Sequence, residues 1–101
     1  MSKHISRKRR WAQEASTRYA SDLGTVVYER NAWYGVLRYQ TLRPEAGPDG
    51  LPQWQAHTLR LGPFRRPRNA MVTVEREATA LRNRHGDGLR LNDELWGEAR
   101  R

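Results

Sequence analysis

The chain has 101 residues, of which 37% are apolar and 30% charged, so it can hold one domain with a thin hydrophobic core but not a second domain. Nineteen Lys and Arg against eleven Asp and Glu give a formal net charge of +8, which indicates a polyanionic partner or non-specific adhesion. The absence of cysteine excludes disulfides and thiolate metal sites. No apolar run is long enough to span a membrane, so we expect a cytoplasmic protein without membrane contact.

The N-terminal segment is predicted to be a basic disordered arm over residues 1–9, and Lys8, Arg9 and Arg10 are candidate nucleic-acid contacts at its end. Two interpretations stay open for these charges: a solvated tail, and an arm that becomes ordered on a phosphate backbone. A single domain is expected over 10–96, with its core at 25–84, followed by a C-terminal tail at 97–101.

The first element of the domain is predicted to be a helix that begins near Ser6 or Arg10 and ends at Leu23. Large or apolar residues recur there at every fourth position, namely Trp11, Ala15, Tyr19 and Leu23. This spacing is typical of one face of a helix. Gly24 stands where a C-terminal cap is expected.

Three strands and a second helix are predicted next. Segments 25–30, 33–41 and 53–61 are rich in β-branched, aromatic and alternating apolar residues, which favours strands. The first connection is a turn at Asn31-Ala32, and the second is a loop rich in Pro and Gly. Residues 69–84 carry a helical stripe of apolar side chains: Ala70, Val74, Ala78 and Leu81.

The predicted fold is therefore α+β. It has an N-terminal helix, a three-stranded antiparallel sheet with one helix packed on a face, and a short C-terminal helix or tail around 92–99.

The two faces of this sheet are predicted from strand alternation. On the second strand Trp33, Gly35, Leu37 and Tyr39 share one face, and Arg38 and Gln40 share the other. On the third strand we assign Trp54, Ala56 and Thr58 to the apolar face. Gln53, Gln55 and His57 then lie on the polar face. Leu59 and Leu61 then fall on the polar side. Either a bulge near Thr58 shifts the phase, or the two faces are reversed at that end.

The sequence carries no arrangement that predicts catalysis. The histidines, His4, His57 and His85, are widely spaced and unaccompanied by cysteine, which argues against a metal site. The sequence shows no nucleophile–base pattern, and no glycine-rich phosphate loop precedes a predicted helix. We therefore expect no enzyme, no catalytic residue, no metal and no cofactor.

The basic residues indicate a binding surface instead. Arg65, Arg66 and Arg68 cluster at the start of the predicted helix, where free backbone N–H groups and the helix dipole also attract anions. A solvated loop is the alternative interpretation of this cluster. Candidate contacts to base edges are the polar side chains of the second and third strands: Arg38, Gln40, Gln55, His57 and Arg60.

A short series of motifs resembles a known DNA-binding family. The motifs are Trp33-Tyr34-Gly35-Val36, Trp54-Gln55-Ala56, Leu61-Gly62-Pro63-Phe64, Asn69-Ala70 and Glu77-Ala78. Together they resemble the domain shared by plant AP2/ERF factors and the arm-binding domains of phage integrases. That resemblance covers about 25–84 and implies a three-stranded sheet inserted in the major groove, with Leu59 and Leu61 in the core and Arg60 facing DNA.

The function that follows is nucleic-acid binding, with double-stranded DNA held by the sheet face and the Arg-rich loop, as in a phage or mobile-element regulator. The alternative is a phage-encoded protein that binds a host protein machine and inhibits or redirects it, with exposed aromatic residues such as Trp54, Tyr34 or Trp96 as anchors. A continuous positive strip across the sheet favours the first function. A Trp patch without such a strip favours the second.

Overall fold

A six-stranded sheet with one helix on one face makes up the computed structural model, which describes residues 10–43, 45 and 47–91. The strands are β1 Ala12–Ala15, β2 Arg18–Ala20, β3 Thr25–Glu29, β4 Ala32–Leu42, β5 Trp54–Phe64 and β6 Leu89–Leu91. The helix, α1, spans Pro67–His85, and a short 3-10 turn at Gly86–Gly88 joins it to β6. Within these described ranges, no helix is long and apolar enough to cross a membrane.

The sheet is built around the long strand β4. Strands β1 to β5 follow one another in sequence order as antiparallel neighbours, and β5 pairs along the length of β4. The opposite edge of β4 is shared by two strands. β3 pairs with its first half through Thr25↔Val36, and β6 pairs with its second half through Tyr39↔Leu91. The chain therefore returns to the centre of its own sheet after α1.

The predicted N-terminal helix is wrong, because residues 12–20 form the β1–β2 hairpin. Gln13 pairs with Tyr19, and Tyr19 in turn pairs with Val26 of β3. The four-residue spacing of Trp11, Ala15 and Tyr19 explains the error. Four is close to one helical turn, but it is also twice the two-residue repeat of a strand, so the spacing is compatible with both.

The predicted fold class is also wrong in its strand number. The three predicted strands correspond to β3, β4 and β5, and the hairpin β1–β2 and the strand β6 add three more. The turn before β4 is centred on Arg30 and Asn31, one residue earlier than predicted, and both have positive φ angles, 51° and 67°. The predicted basic arm at 1–9, the predicted short helix or tail around 92–99 and the predicted tail at 97–101 lie outside the described residues.

The core lies between α1 and the sheet. Helix α1 buries the apolar stripe that the sequence predicts, formed by Ala70, Val74, Ala78 and Leu81. Opposite this stripe lie the buried sheet residues Val26, Leu37, Leu89 and Leu91. Trp11, which is 5% exposed, joins the same cluster and donates a hydrogen bond of 2.8 Å from Nε1 to Glu75 Oε2 on α1. The start of the described chain is thereby attached to the helix.

Candidate nucleic-acid interface

The side of the sheet that faces away from α1 carries the cationic side chains of β4, β5 and β6. Gly35 and Leu37 are buried towards α1, so alternation along β4 turns the residues between and beyond them to the other side. We call this side the outer face. It is formed in β4 to β6 by Tyr34, Val36, Arg38, Gln40, Leu42, Trp54, Ala56, Thr58, Arg60 and Arg90.

The register of β5 against β4 settles the question of the two faces. Pairing runs without a break from Gly35↔Leu61 to Leu42↔Trp54, and the irregularity lies between Trp33 and Gly35 rather than near Thr58. The faces predicted for the third strand are therefore reversed, and no bulge at Thr58 is needed. Leu59 and Leu61 pack against the core, whereas Arg60 pairs with Val36 on the outer face.

This register separates the predicted base-contacting residues into two groups. Arg38, Gln40 and Arg60 share the outer face. Gln55 and His57 lie on the α1 side, because they pair with Thr41 and Tyr39. The two sets therefore cannot contact one groove together.

On the α1 side, His57 is held by its neighbours. The distance between His57 Nε2 and Thr41 Oγ1 is 2.8 Å, a hydrogen bond. The imidazole also stacks on Tyr39 with ring centroids 4.9 Å apart. These contacts give His57 a packing role beside the core.

Two arginines on the outer face place their guanidinium groups over aromatic rings. The Arg60 guanidinium carbon is 4.2 Å from the centroid of the Tyr34 ring, and the Arg90 guanidinium carbon is 4.1 Å from that of Trp54. Arg60 also forms an ion pair with Glu29 of β3. Such cation–π contacts hold a guanidinium close to the sheet surface, in a defined direction.

Arg38 and Gln40 lie between these two arginine–aromatic pairs. Arg38 is exposed, and it pairs across the strand with Thr58. The Gln40 Oε1 atom is buried and has no hydrogen-bond donor among the described residues. Because this atom is shielded from solvent, a ligand on the outer face reaches it only if the Gln40 side chain turns outward.

A second basic cluster lies where β5 leads into α1. Arg65, Arg66 and Arg68 are all exposed, and the first turn of α1 contains no acidic residue. Arg66 is the N-cap residue but makes no side-chain capping hydrogen bond. Three positive charges therefore lie at the positive end of the helix dipole, where they disfavour the helix unless an anion binds.

The turn between β3 and β4 adds Arg30 to this end of the molecule. Glu29 pairs with Ala32 across the turn, and Trp33 pairs with Phe64 at the end of β5. The register therefore places Arg30 at the same end of the sheet as the connection from β5 to α1. We refer to Arg30, Arg65, Arg66 and Arg68 together as the basic end.

Of the N-terminal candidates, Arg10 is not part of the outer face. Arg10 is exposed, and its Nε lies 3.3 Å from Asp22 Oδ1 in an ion pair. With Asp22, Glu75 and Arg82 it lines a groove of about 380 Å³ beside α1. Lys8 and Arg9 lie outside the described residues.

Three residues of this surface were missed by reasoning from sequence: Glu29, Arg30 and Arg90. Tyr34 was expected as an exposed aromatic anchor, and the alternation of β4 gives it the same side as Arg38. The pairing of β6 with β4 alone brings Arg90 to Trp54, and no local pattern predicts it.

Comparisons of this chain with family models, with curated proteins and with solved structures gave no match.

Proposed function

We propose that this protein binds double-stranded DNA, with the outer face in the major groove and the basic end on the phosphate backbone, as a small regulator of a phage or mobile element. The observation that carries the proposal is the placement of Arg38, Gln40 and Arg60 on one side of the sheet, opposite the helix. Arg90 extends this strip onto β6.

The dimensions of the outer face suit a groove. Neighbouring strands lie about 4.8 Å apart, so two strands with their side chains fit a major groove about 12 Å wide. Alternate residues of a strand lie about 6.7 Å apart, which is close to two base-pair steps. Arg60 pairs with Val36, which lies two residues before Arg38 on β4, so Arg60 and Arg38 are one such interval apart along the strand direction. Gln40 lies one interval beyond Arg38.

The side chains of this strip are those that read base edges. Arginine donates two hydrogen bonds to guanine O6 and N7, whereas glutamine accepts one hydrogen bond from adenine N6 and donates one to adenine N7. Each such contact is worth about 1–3 kcal/mol of discrimination against the wrong base.

The basic end supplies contacts that do not depend on sequence. Arg65, Arg66 and Arg68 precede or begin a helix whose free N–H groups also bind phosphate. A backbone phosphate there neutralises charges that otherwise repel one another and the helix dipole. The net charge of +8 adds a long-range attraction for DNA.

The test is fluorescence anisotropy with a labelled random-sequence duplex at about 50 and about 200 mM salt, because counterion release makes phosphate-dependent affinity fall steeply between these values. We expect the Arg65→Ala/Arg66→Ala double variant to weaken binding at the lower salt concentration. The control is Arg76→Ala/Arg84→Ala, which removes the same charge from exposed positions further along α1.

Equal losses in the two double variants would contradict a contact at the basic end. No binding of the wild-type protein to random or selected duplexes at the lower salt concentration would contradict the proposal itself. A pull-down from host lysate would then test the protein partner as the alternative.

A further inference from the structure

Glu29 occupies an unusual position on the outer face. It pairs with Ala32, so its side chain points away from α1, and its carboxylate contacts the guanidinium of Arg60. Among the described residues of β3 to β6 on this face, Glu29 is the single carboxylate. A negative charge therefore lies inside a surface that is otherwise suited to a polyanion.

The Arg60–Glu29 ion pair adds little to the stability of the fold. The side chains of Arg60 and Glu29 are 49% and 52% exposed, and exposed pairs of this kind contribute little. Its effect is on the direction and availability of the Arg60 guanidinium. With Tyr34 below it and Glu29 beside it, the guanidinium is directed along the sheet towards the β3–β4 turn.

Phosphate and base edges respond differently to this pair. A phosphate offers only acceptors, so it can use the remaining N–H donors of Arg60 but has nothing to donate to Glu29, and it is repelled by the carboxylate. A G·C base pair offers both partners side by side in the major groove. The guanine O6 and N7 atoms accept from arginine, and the cytosine N4 amino group donates to a carboxylate. In an A·T pair the N6 donor of adenine lies between the acceptors N7 and O4, so the pair lacks the two adjacent acceptors that arginine binds beside a donor for the carboxylate.

We infer that Glu29 is a specificity-determining residue that acts with Arg60, selecting a G·C base pair and rejecting non-specific contact with phosphate. This inference rests on the proposed function and adds to it the base pair that one end of the outer face prefers. Specificity here comes from a repulsive element as well as an attractive one.

The experiment begins with selection of preferred sequences from random duplexes by the wild-type protein. Affinity for the selected duplex and for the random pool is then measured over a salt series, for wild type and for Glu29→Gln. The glutamine keeps the shape of the side chain and removes its charge. We expect the preference for the selected duplex to fall by about tenfold, the middle of the range for one base contact. Binding to the random pool becomes tighter, with a salt slope steeper by about 0.9 for one added phosphate contact.

The matched control is Asp22→Asn, which removes one carboxylate from another exposed ion pair, that with Arg10 on the α1 side. A general charge effect would move both variants equally, whereas our inference requires a loss of preference in Glu29→Gln alone. A double-mutant cycle with Arg60→Ala isolates the coupling, because Glu29→Gln has no further effect on preference once its partner is absent.

The outcomes separate the two claims. Two results overturn the inference and leave the proposed function standing. In the first, Glu29→Gln binds DNA with the same preference as the wild type. In the second, the selected sequences contain no G·C pair whose selection depends on Arg60. No binding of the wild type to either duplex overturns the proposed function and this inference with it.

Discussion

Gly35 of β4 lies directly against Val74 of α1. A Cβ atom built on Gly35 would be 2.6 Å from Val74 Cγ2 and 3.4 Å from the Ala70 carbonyl oxygen. Because Gly35 has no side chain, helix α1 packs closer to β4 here than it could against any larger residue. The sheet is held against α1 at this point, and the outer face is the opposite side of the same strand.

Substitution of Gly35 by Ala is expected to lower the free energy of unfolding by about 1–3 kcal/mol, because the added methyl group forces α1 away from β4. Urea denaturation measures the change. Gly88→Ala is the control, since a Cβ there would make only an ordinary 3.4 Å contact with Leu42. Equal losses at the two glycines would contradict this packing.

Trp11→Ala is expected to cost about 3–5 kcal/mol of unfolding free energy, because it empties a buried site and removes the hydrogen bond to Glu75. The expected fall in the denaturation midpoint is large for a small domain. Leu51→Ala, at a position 60% exposed, should change the stability by less than about 0.5 kcal/mol. A small effect at Trp11 would show that the N-terminal attachment does not support the fold.

Thr58→Glu and Gln55→Glu test which side of the sheet binds DNA. Both introduce one negative charge on exposed positions of β5, but Thr58 pairs with Arg38 on the outer face and Gln55 pairs with Thr41 on the α1 side. We expect Thr58→Glu to weaken binding to a selected duplex by about tenfold or more, since it competes for Arg38. Anisotropy should find Gln55→Glu much closer to wild type. The reverse order would place the interface on the other side.

Arg30→Gly is expected to raise the free energy of unfolding by up to about 1 kcal/mol. Arg30 has a φ of 51°, a left-handed conformation that costs a residue with a side chain about 1–2 kcal/mol and costs glycine little. Ala32→Gly should act in the opposite direction, because Ala32 lies in the extended strand β4 and glycine there adds only chain entropy. Thermal denaturation of both variants checks the two signs.

Local periodicity predicted the elements whose spacing of apolar residues fits only one type of secondary structure. The stripe of Ala70, Val74, Ala78 and Leu81 mixes spacings of four and three residues, which only a helix places on one face, and α1 is found there. The alternation within β4 likewise separated Arg38 and Gln40 from Leu37 without any knowledge of partners. The excess of arginine, and with it the expectation of a polyanionic partner, is a property of composition alone.

Tertiary structure decided three matters that local sequence left open. Residues 12–20 form a hairpin because Tyr19 pairs with Val26 at the edge of β3, whereas their own four-residue spacing suits a helix equally well. The orientation of β5 depends on its register with β4, and a shift of one residue exchanges Arg60 for Leu61 on the outer face. Arg90 reaches Trp54 only because the chain returns to β4 after α1. The physical reason is common to all three: a repeat within one segment specifies which side chains share a face, but the neighbouring strands decide which face is buried.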